Sequence, residues 1–332
     1  MKKILCVFLI ICLSLVVFVG CRNKELQLSD GAKSQETQKV YEYIISLTGT
    51  NVLSGQQEST WISEDYEFDY IYEHTGKYPA IRGLDYINDD FEGVNARAIK
   101  WWQKGGIVTI CWHTGKNFSG GYNQCKEDVV DNWDDMFTEG TDAYNQMIAG
   151  MDKAAVALKE LKDAGVPVLW RPFHELYGDW FWWAKGGPEN FKKLWIAMYE
   201  RYTDYWKLDN LIWVLGYSHM NYDWDKDAKG KDAEDWYPGH EYCDIVGADS
   251  YEAGKHLVIN KRINKLNKGN KPTAYHECGT NPTIDELQKT TWTYFMTWHT
   301  TWLTQDNTVE ALNSLYNDNY IITLDELPKF DL

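Results

Sequence analysis

Two glutamates carry the most chemical information in this chain. The segment VPVLWRPFHE, residues 166–175, is apolar through Val166, Val168, Leu169 and Trp170 and ends on Glu175. Such a run predicts a buried strand, with Pro167 tolerated near its start. A carboxyl group at the exit of a buried strand is costly to desolvate unless the site has a use for it. KPTAYHECG, residues 271–279, repeats the pattern and delivers Glu277, again directly after a histidine. Two carboxyl groups at the mouths of two strands match what glycoside hydrolysis requires. One acid protonates the leaving oxygen, and the other serves as nucleophile or base. The competing explanation is a structural ion pair, for Glu175 with Arg171 or another cation on the rim.

Bringing two strand ends together requires a scaffold, and the rest of the chain predicts one. Strand-like segments fall at 51–56, 78–86, 105–113, 166–175, 210–218, 244–251, 271–279 and 293–299. Helical patterns lie between them, at 91–104, 143–164 and 189–206 among others. In 143–164, Met147, Met151, Ala154, Ala155, Leu158 and Leu161 recur at helical spacing and predict a face packed on the sheet. Eight such units predict an α/β fold of the (β/α)8 TIM-barrel type, which needs about 250 residues. An open doubly wound sheet is the rival, but no G-x-G-x-x-G follows the first strand. Glu277 follows Glu175 by 102 residues, three units at roughly 30 residues each. Both glutamates then share the C-terminal rim, where barrels do their chemistry. The long loops 114–141 and 217–240 carry Phe118, Trp133, Trp224 and Trp236 and are expected to wall the cleft. No appended carbohydrate-binding module is expected after the eighth unit.

Composition narrows the ligand. A formal net charge of −16 argues against a nucleic-acid partner and fits a neutral or cationic one. The chain holds 17 Trp and 22 Tyr, rings whose flat apolar faces suit stacking on sugars, although most will fill the core. Lys2 and Lys3 precede an uncharged run ending at Val19-Gly20-Cys21, which reads as a signal segment over 1–20 with a lipobox-like end. The expectation is lipidation at Cys21, a polar tether over 21–36, and a catalytic domain over 37–332 in the bacterial cell envelope outside the cytoplasm. Contact with a membrane is then made only through the N-terminal anchor. Cys111, Cys125, Cys243 and Cys278 are expected as free thiols.

With these residues in place the chain resembles glycoside hydrolase family 26. The resemblance rests on WRPFHE, on Gly178-Asp179-Trp180-Phe181-Trp182-Trp183, on WYPGHEYCDIVGADSY at 236–251, and on the His276-Glu277 pair before Cys278-Gly279. It runs from about Val40 to the C-terminus. The family consists mostly of retaining β-mannanases on a barrel fold. The resemblance implies Glu175 as acid/base and Glu277 as nucleophile, with Tyr251 bonded to Glu277. It places His113, His174, Trp180 and Tyr251 around the bond, Trp298 as a platform beneath the sugar, and Asp249 as a hydroxyl ligand. Several relatives carry an arginine after that tryptophan, where this chain has His299. Retention requires carboxyl groups about 5–5.5 Å apart, and an acid whose pKa is raised by the other's charge and by desolvation under Trp180.

No metal or cofactor is expected. An H-E-x-x-H motif would need histidine at position 178, where Gly178 stands. Asp223, Asp225, Asp227 and Glu234 have EF-hand spacing, but Ala228 occupies the position that needs glycine. The expected activity is endo-hydrolysis of β-1,4-mannosidic bonds in mannan, glucomannan or galactomannan. An exo-acting mannobiohydrolase and a β-glucanase or xylanase of the same family are the alternatives. A non-catalytic glycan-binding lipoprotein would be expected to lack one of the two carboxylates, and both are present.

Overall fold

The computed structural model describes residues 28–29, 31–218 and 232–330. Cys21 and the leader lie outside them, as do Trp224, Asp223, Asp225 and Asp227. Ten parallel strands follow in chain order: β1 (Val52–Leu53), β2 (Gly55–Gln57), β3 (Ile81–Asp85), β4 (Ile107–Cys111), β5 (Val168–Arg171), β6 (Leu211–Tyr217), β7 (Ile245–Ser250), β8 (Thr273–Cys278), β9 (Trp292–Thr297) and β10 (Ile321–Ile322). Pairing runs β2 to β9 without a gap, and β9 pairs back to β2, so the sheet closes. The barrel is a (β/α)8 TIM barrel, and all eight expected strand segments contribute to it.

Its first staave is broken at Ser54. The lower piece, β1, pairs with β9 and with the added strand β10, while the upper piece, β2, pairs with β9 and β3. The Ser54 hydroxyl fills the break by donating to Ile322 O at 2.8 Å and accepting from Ala80 N at 3.1 Å.

The expected helices are present at Phe91–Gln103, Asp142–Asp163 and Pro188–Glu200, the last continued by a π-helical turn, Arg201–Tyr205. All six residues expected on the packed face of Asp142–Asp163 are buried. Thr141 caps that helix by accepting from Tyr144 N.

A second apolar cluster seals the N-terminal end of the barrel. Val40, Tyr41 and Ile44 of the helix Gln35–Ser46, with Leu47 at its C-terminal cap, pack on Leu53, Ile81, Ile107, Leu169, Ile212 and Ile245. Leu28, in the stretch read as a tether, packs against this cluster, and the helix starts at Gln35, so the folded domain begins before residue 37. Ser29 N donates to Asp244, Lys33 Nζ donates to Leu211 O at 2.7 Å, and Lys33 pairs with buried Asp244 at 3.5 Å. Asp244 also accepts from Trp213 N at 2.7 Å, which ties the strap to β6.

Candidate active site

Glu277 lies on β8 directly opposite Asp249 of β7, an alignment produced by a register shift after Ala248. Its oxygens accept from Arg171 Nη1 at 2.8 Å and from the Tyr251 hydroxyl. Arg171 is the last residue of β5 and is buried, and its Nη1 also lies 3.2 Å from His276 Nδ1. The ion pair considered for Glu175 is therefore made by the other glutamate.

Glu175 is not on a strand. β5 stops at Arg171, and the backbone then takes positive φ at Phe173 (47°), Glu175 (54°) and Tyr177 (77°). Between the last two, Leu176 rejoins the sheet, donating to Gly216 O at 3.1 Å and accepting from Ser218 N at 2.9 Å. Pro172 cannot donate to a ladder, which explains why the strand breaks there. Non-glycine residues in the left-handed region cost of order 1–3 kcal/mol each and cluster at functional sites.

One oxygen from each of Glu175, Asp249 and Glu277 lies within 4.8 Å of the others. That spacing falls on the retaining side, since inverting pairs stand about 6.5–9.5 Å apart. Burial raises the Glu175 carboxyl to about 7, and the Glu277 charge adds to it. The Trp180 indole opposes the rise, because its Nε1 donates to Glu175 Oε2 at 2.5 Å and favours the ionised form. Trp180 is thus a donor to Glu175 rather than the source of its raised pKa. Asp249 is also pushed up, first by burial and then by the charges of Glu175 and Glu277.

His113 follows β4 and is fixed by Asp85 at the end of β3, through Nδ1···Oδ2 at 2.6 Å and N–H···Oδ1 at 3.0 Å. Burial disfavours its charge, but Asp85, with Glu277 and Glu175, holds its pKa above the ordinary value. The His174 ring packs edge-on to His113 at 4.5 Å and is fully buried, which keeps it neutral.

These groups border a cleft of about 570 Å3. Of the expected residues, Glu175, Glu277, His113, Tyr251 and Trp298 line it. Asp249 and His174 sit behind the wall, and Trp180 is half-buried against Glu175. Of the rings expected to wall the cleft, the three within the described residues pack elsewhere. Phe118 and Trp236 are in the core, and Trp133 stacks on Trp182 and Phe137. Residues 58–61 and 298–302, with Tyr122 and Phe181, form walls in their place. Trp182 and Trp183 are buried, as is Trp101.

Asp85 was missed in sequence although the apolar run before it, like VPVLWRPFHE, closes on a carboxylate, here followed by Tyr86. The residue signal was the same, but the segment lacked the adjacent histidine. All four cysteines of the described residues are free and buried. Cys111, His113 and His174 come within 4.8 Å of one another, as do the three carboxyl groups. Neither set has all of its groups in the deprotonated form a cation needs. His113 Nδ1 is engaged by Asp85, burial holds the Cys111 thiol protonated, and Glu175 and Asp249 are raised.

The model of the family described as glycosyl hydrolase family 26 matches residues 29–326. A mannan endo-1,4-β-mannosidase of Thermothelomyces thermophilus is 32% identical over 90% of this chain and 63% of its own length. One of Bacillus subtilis is 31% identical over 79% of this chain and 76% of its own. The chain spans 49–63% of the length of the first curated relatives it matches. Among solved structures, a Podospora anserina β-(1,4)-mannanase superposes with a TM-score of 0.80 at 32% identity, covering 92% of this chain and 69% of that one. A β-mannanase from a symbiotic protist of the termite Reticulitermes speratus, complexed with a gluco-manno-oligosaccharide, gives 0.78 at 26% identity, covering 90% and 99%. A carboxyl pair on the C-terminal rim, the barrel beneath it and the match over nearly its whole described length agree: the chain belongs to glycosyl hydrolase family 26.

Proposed function

We propose that the chain is a retaining endo-β-1,4-mannanase acting on mannan, glucomannan or galactomannan. The observation that carries this reading is the placement of Glu175 and Glu277 on one cleft in opposite environments. Glu175 is desolvated and raised to about 7, so near neutrality it holds a proton for the leaving oxygen. Glu277 faces Arg171 and Tyr251, donors suited to an ionised nucleophile. In the first step Glu277 attacks the anomeric carbon while Glu175 protonates the departing oxygen. The covalent intermediate removes the Glu277 charge, one of the causes of the raised Glu175 pKa. Glu175, ionised when it gave up its proton, is then held in that form and takes a proton from the incoming water, whose oxygen attacks the anomeric carbon and releases Glu277 as the carboxylate. The mannanase names of the relatives, and the gluco-manno-oligosaccharide bound to one of them, support the substrate class.

The test is hydrolysis of mannan, galactomannan, lichenan and xylan by the pure protein, with products from mannohexaose resolved by length. Mixed lengths support endo action, and stepwise release of dimers supports a mannobiohydrolase. Glu277→Ala is expected to abolish turnover and keep oligosaccharide binding, measured by calorimetry. Turnover surviving in that variant overturns the assignment. The leader sequence supports a further part of the reading, that the protein is held outside the cytoplasm by a lipid on Cys21. Cys21→Ser is expected to move it from the membrane fraction to the soluble one.

A further inference from the structure

β8 carries one residue more than its neighbours match. Against β7, Ala248 stands opposite Tyr275 and Asp249 opposite Glu277, so His276 is passed over. Against β9 the register shifts again between Tyr275 and Cys278. An extra residue of this kind re-aims side chains and recurs beside active sites. The His276 ring is fully buried, and two glycines make room for it. A Cβ on Gly216 would stand 2.6 Å from its Nε2, and a Cβ on Gly247 would stand 2.8 Å from its Cδ2. Gly216 and Gly247 are paired across β6 and β7, so two adjacent strands give up side chains for one imidazole.

The ring ends against Arg171. Arg171 Nη1 lies 3.2 Å from His276 Nδ1 and donates to Glu277 Oε2 at 2.8 Å, one nitrogen serving both. A guanidinium only donates, so Nδ1 accepts and the ring proton sits on Nε2. Burial, and after it the Arg171 charge, hold His276 well below the ordinary histidine range and keep it neutral. Among the described residues Arg171 Nε and Nη2 have no hydrogen-bond partner. The guanidinium is held at its tip, by two side chains adjacent in sequence.

We propose that His276 is a positioning residue that keeps Arg171 beneath the nucleophile while Glu277 carries no charge. This rests on the reading of Glu277 as the nucleophile of a double displacement. When Glu277 attacks the anomeric carbon its carboxylate becomes an ester, and the buried guanidinium loses its anionic partner. The His276 acceptor remains. In the second step the water oxygen bonds to the anomeric carbon, a water proton passes to Glu175, and the ester bond breaks with its electron pair returning to Glu277. Arg171 must already be in place to receive that charge. In the first step the ionised Glu277 orients Arg171 by itself. Loss of the acceptor therefore slows the second step more than the first.

The test uses dinitrophenyl β-mannobioside, whose activated leaving group makes the second step limiting, so that kcat reports the second step and kcat/KM the first. His276→Leu fills the slot without an acceptor, and His276→Asn restores an acceptor on the same branch as Nδ1. In His276→Leu, kcat is expected to fall about tenfold and KM to fall with it, leaving kcat/KM within about threefold of the wild type. His276→Asn is expected to recover most of kcat. Circular dichroism checks that each variant is folded. An unchanged kcat in folded His276→Leu, equal losses in kcat and kcat/KM, or no gain in His276→Asn each overturn the proposal. Nitrogen NMR of the wild type reads the ring without any variant. A neutral His276 protonated on Nε2 is expected, and a proton on Nδ1 overturns the proposal, since Arg171 then has no acceptor there. A wild type that cleaves the corresponding cellobioside or xylobioside but not the mannobioside overturns the mannanase reading instead, and the same comparison is then made on the glycoside that is cleaved. Release of a product with inverted anomeric configuration overturns both.

Discussion

Glu175 is a carboxyl group pulled in two directions. Burial and Glu277 raise it, while the Trp180 indole and Asp249 hold it down, and the balance falls at about 7. In the proposed mechanism the acid form protonates the leaving group, so activity is expected to decline as pH rises through about 7. Trp180→Phe removes a donor that favours the ionised form, so its alkaline limb should move to higher pH; a pH profile of kcat/KM reads this directly. The same shift bears on stability. A carboxyl raised in the folded state contributes stability that is full below its unfolded pKa and lost as pH rises through the folded value. Glu175→Gln is therefore expected to raise the thermal midpoint by a few degrees at pH 8 and to have little effect at pH 4, measured by calorimetry. Both glutamates were legible in sequence because a charge ending an apolar run is conspicuous. The partner of Arg171 was not legible, since the Glu277 carboxyl that meets it lies across the barrel and 106 residues away.

Elements were predicted well where periodicity was long and poorly where the backbone leaves its regular path. The helix Asp142–Asp163 shows its packed face over six turns, and the expected boundaries lie within one residue of it. Glu175, by contrast, was expected at the end of a strand that stops at Arg171. Hydrophobicity continues through Phe173 and Leu176, so a pattern based on burial cannot register the break between them. The cleft walls were misassigned for a related reason. An aromatic residue in a long loop serves equally to face a ligand or to fill the gap over a helix, and Phe118 and Trp236 fill the gap. The short wall at 58–61 carried little composition to notice, yet one buried side chain, Glu67, accepts from both it and the facing loop. Glu67→Ala leaves Ser59 N and Thr300 N without that acceptor, and should cost about 1–3 kcal/mol in a urea titration.

At the scale of the whole molecule, the barrel has two ends with different duties. The rim holds the reactive carboxyl groups, and the floor holds the strap in which Lys33 meets Asp244 with both side chains buried. Removing one member of a buried pair costs about 3–5 kcal/mol, so a chain shortened through Ser34 should unfold at markedly lower urea than one beginning at Leu28. Among the described residues no helix is long and apolar enough to cross a membrane. The strap bears on orientation through the anchor proposed at Cys21. It runs along the floor, at the pole opposite the cleft, and Cys21 precedes Leu28 by only seven residues. Seven residues span at most about 25 Å when fully extended. Were the lipid proposed on Cys21 to moor the protein, its floor would lie within that reach of the membrane and its mouth would face away from it.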